Sequence, residues 1–221
     1  MNLDSYDLHV HTSYSGDCRC TVKDVIMAAK AKGLRGIGIT DHNSIQGIKE
    51  ALKLSGKDFL IIPGIEVSSK DGHILGLGIN KPVPTGLPAA ETVKLIREQG
   101  GIAIAAHPFG LSLKPFAALK AEYDAIEVFN SRRYIANHIA RRFAERRHLP
   151  MTAGSDAHNP DEVGLAGIRV RGEPNVNSVL EKIKKGETLV FGRTLPLGNY
   201  LRRVLYFVSG MRWWQSRRKL H

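Results

Sequence analysis

The chain is poor in cysteine. It has two, Cys18 and Cys20, a single residue apart, and that spacing disfavours a structural disulfide between them. No Cys-x-x-Cys pair occurs, which excludes a thiolate zinc finger and, with so few thiols, leads us to expect a cytoplasmic protein. There is no run of about 18 apolar residues, so no membrane-spanning helix is expected. The first residues, Met1-Asn2-Leu3-Asp4-Ser5-Tyr6-Asp7, are acidic rather than basic and apolar, so no signal peptide is expected. Internal repeats and low-complexity segments are also missing. Acidic residues stop at Glu187, although seven Lys and Arg residues follow it. The net charge of +11 favours an anionic partner or substrate. At 221 residues the core is large enough to need no disulfide.

The apolar runs are short and alternate with stretches of helical period. Strands are expected at Asp7–His11, Gly36–Thr40, Leu60–Glu66, Ile74–Ile79, Ile102–Ala106, Ala125–Phe129, Met151–Gly154 and Gly167–Val170. Helices are expected at Val22–Lys32, Ile45–Leu54, Ala89–Gln99, Pro115–Ala121, Ile135–Arg147 and Asn177–Lys184. Thr21 with Asp24 reads as a capping box, and Gly33 as the stop of the first helix. Asn80–Pro88, with three prolines, reads as a loop. Strand–helix alternation with near-continuous apolar strands predicts a mostly parallel sheet buried on both faces.

The polar residues fall at particular places in this pattern. His9 and His11 end the first strand, Asp41 and His42 follow the second, and Glu66 ends the third. His107 follows Ile102–Ala106, and Asp156 and His158 follow Met151–Gly154. In a parallel barrel these ends share one face, where active sites form. His73 breaks the rule by preceding its apolar run. His9 and His11, two apart on a strand, point to the same side. Imidazoles and carboxylates converging from several strands are the makings of a multinuclear metal centre.

These motifs, in order, resemble the PHP domain (polymerase and histidinol phosphatase). They are Asp7-x-His9-x-His11-Thr12-x-x-Ser15 with Asp17 close behind, Ile39-Thr40-Asp41-His42-Asn43, Gly64-Ile65-Glu66, His73 before Ile-Leu-Gly-Leu, Ala106-His107-Pro108 and Gly154-Ser155-Asp156-Ala157-His158. The likeness covers about residues 5 to 190. It implies an α/β fold, a distorted (β/α)7 TIM-like barrel, with three divalent metal ions (Mn, Fe or Zn). Carried over by position, His9, His11, Glu66 and Asp156 hold one ion. Glu66, His73 and His107 hold a second. Asp17, His42 and His158 hold a third, and the hard Asp17 ligand there tilts preference toward Mn²⁺ or Fe²⁺. Cys18 and Cys20 are read as non-ligands. Asp41 either orients an imidazole or makes a local turn bond.

The resemblance implies a metal-dependent phosphoesterase, of phosphatase or exonuclease type, and general metal-ion chemistry adds the expectation that hydroxide bridging the two metals that share Glu66 attacks phosphorus. Candidate substrates are a nucleotide, a nucleic-acid end, or a small metabolite such as histidinol phosphate. Asp156 and His158 are placed near the leaving group. Arg132 and Arg133, just past the strand Ala125–Phe129, are candidate phosphate clamps, because guanidinium matches phosphate at two points. A competing reading is a non-catalytic scaffold or nucleic-acid-binding subunit. The barrel is assigned to residues 1–192 and a basic, aromatic tail to 193–221. That tail is read as packing on the barrel or making an oligomer contact, with an anionic membrane surface or nucleic acid as the other partners considered.

Overall fold

The computed structural model describes residues 3–109 and 121–195. The C-terminal tail beyond 195, and all of the expected helix Pro115–Ala121 except Ala121, lie outside the described residues. In chain order the elements are β1 (Asp4–Val10), α1 (Val22–Ala31), β2 (Gly36–Ile39), α2 (Gln46–Leu54), β3 (Leu60–Ser68), β4 (His73–Leu77) and α3 (Ala89–Glu98). There follow β5 (Ile102–Ala105), β6 (Ala125–Asn130), α4 (Tyr134–Arg147), β7 (Met151–Gly154), β8 (Ala166–Val170), α5 (Val176–Lys184) and β9 (Leu189–Gly192). The first helix starts on the expected capping box, in which Thr21 and Asp24 bond reciprocally. It is followed by Gly33 at φ 72°, where a side chain would be strained.

Among the described residues, the nine strands belong to one sheet, in the order β7-β6-β5-β4-β3-β2-β1-β8-β9. The sheet closes on itself. Past Gly154 the chain runs beside β1, where the Asp156 N–H donates to His9 O at 2.9 Å and the His11 N–H donates to Ala157 O at 3.0 Å. Strands β1 to β7 therefore form a seven-membered ring, and β8 pairs with the other half of β1, at Asp4–Tyr6. This is the distorted TIM-like barrel anticipated above, with a correction to strand direction. β4 is antiparallel to both β3 and β5, and β8 is antiparallel to β1 and β9. The reason is local. Only four residues, Ser69 to Gly72, join β3 to β4, too few for the crossover that a parallel pair requires. β9 was not anticipated.

Alternation along the strands sorts the side chains into layers. On β5, Ile102 and Ile104 join an apolar cluster with Tyr6, Leu8, Ile62, Leu75 and Leu77, while Ala103 and Ala105 pack with residues of α3 and α4. The first cluster draws on β1, β3, β4, β5 and β6 of the ring, on β8, and on Val179, Leu180 and Ile183 of α5, so α5 packs against the barrel's apolar interior. α1 and α2 cover β2 and neighbouring strands. Each large apolar side chain buried in these layers contributes about 1.5–3 kcal/mol. On the inward faces of β3 and β6 the apolar floor gives way to charge, with Ile62 followed by Glu66 and Ala125 followed by Glu127. Both carboxylates are 1% exposed.

Candidate metal centre

Glu66 is the hub. Its Oε2 lies 3.2 Å from His9 Nε2, 3.2 Å from His11 Nε2 and 3.1 Å from His42 Nδ1, and its Oε1 lies 2.8 Å from His73 Nδ1 and 3.0 Å from His107 Nε2. Asp156 Oδ1 stands 3.4 Å from His11 Nε2 and 3.9 Å from His9 Nε2. Nearer the surface, Asp17 Oδ2 lies 2.9 Å from His158 Nε2 and 3.6 Å from His42 Nε2. The structure thus brings together all nine residues proposed as ligands. Among the described residues, four subsets have ligand atoms mutually within 4.8 Å: His11, Asp17, His42 and His158; His9, His107 and Asp156; His9, His11 and Glu66; and His42, Glu66 and His73. The cluster grades from buried to open, since the side chain of Glu66 is 1% exposed and that of Asp17 is 54% exposed.

Topology explains how each ligand arrives. Because β4 runs antiparallel, its first residue lies at the same barrel end as the last residues of β3, and His73 pairs with Ser68. The apparent exception in the sequence is therefore no exception in space. His42 is presented by Asn43, which sits at φ 55° and is tied to Ser68 through both side-chain amide atoms. His107 and Asp156 also have positive φ, 29° and 56°. Non-glycine residues held in this region store strain of about 1–3 kcal/mol each and gather at functional sites. The Ser15 hydroxyl bonds His11 Nδ1 at 2.8 Å and accepts from the His42 N–H at 2.9 Å.

Supporting carboxylates surround these groups. Asp41 accepts from the N–H and hydroxyl of Thr12 and so fixes the turn after His11; among the described residues it bonds no imidazole. Asp7 accepts from the N–H and hydroxyl of Ser155 and from the Gly164 N–H, and burial pushes its carboxyl up to about 6. Glu127 was missed in the sequence reading. It bonds His9 Nδ1 at 2.9 Å and accepts from the His107 N–H at 2.7 Å and Asn130 Nδ2 at 3.1 Å. The signal was available, namely one acidic residue inside the apolar run Ala125-Ile126-Glu127-Val128-Phe129.

Arg132 and Arg133 part company. Arg132 Nη1 lies 3.1 Å from Asp156 Oδ1 and also contacts His158 Nδ1. Among the described residues, its side-chain hydrogen bonds use Nη1. Arg133 makes no side-chain hydrogen bond or ion pair among the described residues, and its Nε is buried without a partner. Asn130 is buried and bonds Glu127 and Asp156. Cys18 and Cys20 are buried, and their thiols face the backbone oxygen of His158.

Electrostatics and bonding fit a cation. Burial opposes charge on Glu66, Asp156, His9 and His11, yet the neighbouring histidines hold Glu66 well below the usual carboxylate range. The Asp156 and Glu66 carboxylates in turn raise His11 to about 9 against its own burial. Glu66 Oε2 and His73 Nδ1 are buried with no properly aligned hydrogen bond, and His9 Nε2 faces His11 Nε2 at 3.1 Å. Nitrogen and oxygen donors crowded around one point, some without a proton to share, are the donor set of a hard to borderline divalent ion.

Comparisons with known proteins agree with this geometry. The PHP domain family matches residues 7–147, and a PHP-associated family matches residues 134–188. The chain is 39% identical over 150 residues to an uncharacterized protein of Methanocaldococcus jannaschii, covering 61% of this chain and 87% of that protein. It is 32% identical over 105 residues to a 5'-3' exoribonuclease of Haemophilus influenzae, covering 45% of this chain and 38% of that one. Among solved structures, a two-domain protein of Bacteroides vulgatus containing a predicted PHP-like metal-dependent phosphoesterase superposes with a TM-score of 0.69 at 18% identity. That match covers 87% of this chain and 65% of the other. With the family match spanning well over half its length and the motif residues gathered at one barrel mouth, the chain belongs to the PHP domain family.

Proposed function

We propose that the chain hydrolyses phosphomonoesters with three divalent ions held by this cluster. The observation that carries the reading is the convergence of five imidazole nitrogens on the buried Glu66 carboxylate, within 2.8–3.2 Å. His9, His11, Glu66 and Asp156 would hold one ion, Glu66, His73 and His107 a second, and Asp17, His42 and His158 a third. Divalent ions supply charge neutralisation at the phosphoryl group and bring the pKa of water down toward neutrality.

The protein's own groups do the rest. Arg132 is anchored through Nη1 by Asp156 and His158, which leaves Nη2 and Nε free to donate to a phosphate. Asp156 and His158 therefore have a second duty, to hold that guanidinium in place. Neither is free to give a proton to the leaving alcohol, so that proton comes from solvent.

Within this activity, a nucleotide or nucleic-acid end is favoured over a small metabolite by the helix that starts beside the site. α4 exposes Tyr134 and Ile135 immediately after Arg133 and Ile139 one turn on. It then exposes Arg141, Arg142 and Arg146, none in an ion pair among the described residues. Aromatic and apolar surface for a base, followed by guanidinium for phosphate, suits an extended polyanion. A hydrolysis screen with Mn²⁺, Fe²⁺ and Zn²⁺ tests both levels. It should compare simple phosphomonoesters, nucleoside bisphosphates and end-labelled oligonucleotides. Turnover of nucleotides or oligonucleotides in preference to histidinol phosphate supports the finer reading. Turnover of none, in protein shown to be metal-loaded, leaves a scaffold or binding subunit.

A further inference from the structure

We propose that Glu127 is the positioning residue of this centre. It sets the tautomer of His9, so that Nε2 presents its lone pair to a cation, and it fixes the backbone of His107; this rests on the metal-binding reading above. Glu127 lies on the inward face of β6 and is 1% exposed. A carboxylate buried to that degree needs every oxygen satisfied, and here its partners are a backbone N–H, a side-chain NH₂ and an imidazole nitrogen. His9 Nδ1 is 2.9 Å from Oε1, and the His107 N–H and Asn130 Nδ2 are 2.7 and 3.1 Å from Oε2.

With Oε2 accepting from two N–H groups, Oε1 is the acceptor left for His9 Nδ1, which places the proton of a neutral His9 ring on Nδ1. Nε2 is left with its lone pair pointing inward. There it faces Glu66 Oε2 at 3.2 Å, Asp156 Oδ1 at 3.9 Å and His11 Nε2 at 3.1 Å, all electron-rich atoms that a cation can bring together. The second oxygen of Glu127 restrains His107 at its unfavourable φ of 29° and, through Asn130 Nδ2 at 3.3 Å from Asp156 Oδ2, steadies a third ligand. One side chain thus ties together ligands from β1, the end of β5 and the segment after β7. Gly154 clears room for it: a Cβ there would sit 2.2 Å from His9 Cβ and 3.0 Å from Glu127 Oε1.

Glu127→Gln is the discriminating change, because it keeps shape and removes one acceptor. If the amide oxygen serves His107 and Asn130, the NH₂ group faces His9 Nδ1, which must then accept. The ring proton moves to Nε2, where it blocks metal binding. In the opposite rotamer the NH₂ group faces the His107 N–H, donor against donor.

The test measures Zn²⁺ affinity by competition with a chromophoric chelator. It also reads ring protonation by nitrogen-15 NMR of the Zn²⁺-loaded full chain, with thermal unfolding of each protein as the folding control. Expected are a His9 proton on Nδ1 in the wild type and a 10–100-fold weaker Zn²⁺ affinity in folded Glu127→Gln. Equal affinity of the two proteins overturns the role of Glu127 while leaving the metal reading intact. A wild type that binds no Zn²⁺ overturns the metal reading and this inference with it. If the variant does not fold, the wild-type spectrum decides: Zn²⁺ on Nε2 with the proton on Nδ1 supports the assignment, and the reverse pattern refutes it.

Discussion

Glu66→Gln removes the charge on which five imidazoles converge, and its cost can be worked from the geometry. His9 Nε2 and Glu66 Oε2 are 3.2 Å apart, and both side chains are essentially buried, at 0% and 1% exposure. At an effective dielectric constant of about 20, a charge pair at that distance is worth roughly 5 kcal/mol before desolvation. Removing one partner of a buried pair typically costs about 3–5 kcal/mol. The loss should depend on pH. In the metal-free protein His11 titrates near 9, above its ordinary value, mainly through Asp156 and Glu66 acting against burial. A raised histidine contributes stability that is complete below its unfolded pKa of about 6.5 and lost as pH rises through the folded value. The penalty of Glu66→Gln should therefore be largest near pH 6 and shrink toward pH 9.5 and above. Urea unfolding of chelator-treated wild type and variant at these two pH values measures it. A difference below about 1 kcal/mol at pH 6, or one that does not change between the two pH values, would refute the charge-pair reasoning.

Three further outcomes follow from named contacts. Gly154→Ala places a Cβ 2.2 Å from His9 Cβ and 2.9 Å from His9 N, where β1 and β7 meet; it should lower stability by about 1–3 kcal/mol and weaken metal binding together, as thermal unfolding and metal titration would show. Arg132→Ala should cost about 1.5–3 kcal/mol in kcat/KM on the best phosphomonoester found, while Arg133→Ala, whose side chain makes no bond to the cluster, should cost much less. Steady-state kinetics of the two variants decides this, and equal losses would refute the distinction. Deleting residues 200–221 should leave metal content and phosphomonoester hydrolysis intact, because every proposed ligand precedes residue 159; elemental analysis and activity check it, and light scattering and oligonucleotide binding report what the segment adds.

Much of the site was legible because ligands that follow apolar runs share one end of a barrel. That rule placed His9, His11, His42, Glu66, His107, Asp156 and His158 correctly relative to their strands. It stumbled on His73, whose position depends on strand direction. The cue was present in Ser69-Lys70-Asp71-Gly72, a short polar turn ending in glycine between two β-rich runs, and such a connection makes a hairpin. Glu127 was harder to see. Its function depends on which strand face meets His9, and that register is fixed by ring closure between β1 and β7 rather than by any local pattern. Arg132 and Arg133 are neighbours in sequence, and only the course of the backbone into α4 separates them, with Arg132 turned toward Asp156. β9, four half-exposed residues whose pairing is antiparallel to β8, carries too little hydrophobic period to announce itself.

The proposed function requires that this cluster hold divalent ions and that phosphoester hydrolysis depend on them. Anomalous diffraction from crystals of the Mn²⁺-loaded protein, collected on the preparation whose hydrolysis is assayed, tests it most directly. The expected result is three anomalous peaks: one among His9, His11, Glu66 and Asp156, one beside Glu66, His73 and His107, and one among Asp17, His42 and His158, with hydrolysis abolished when chelation removes them. Hydrolysis persisting in protein whose crystals show no anomalous peak within the cluster would contradict it.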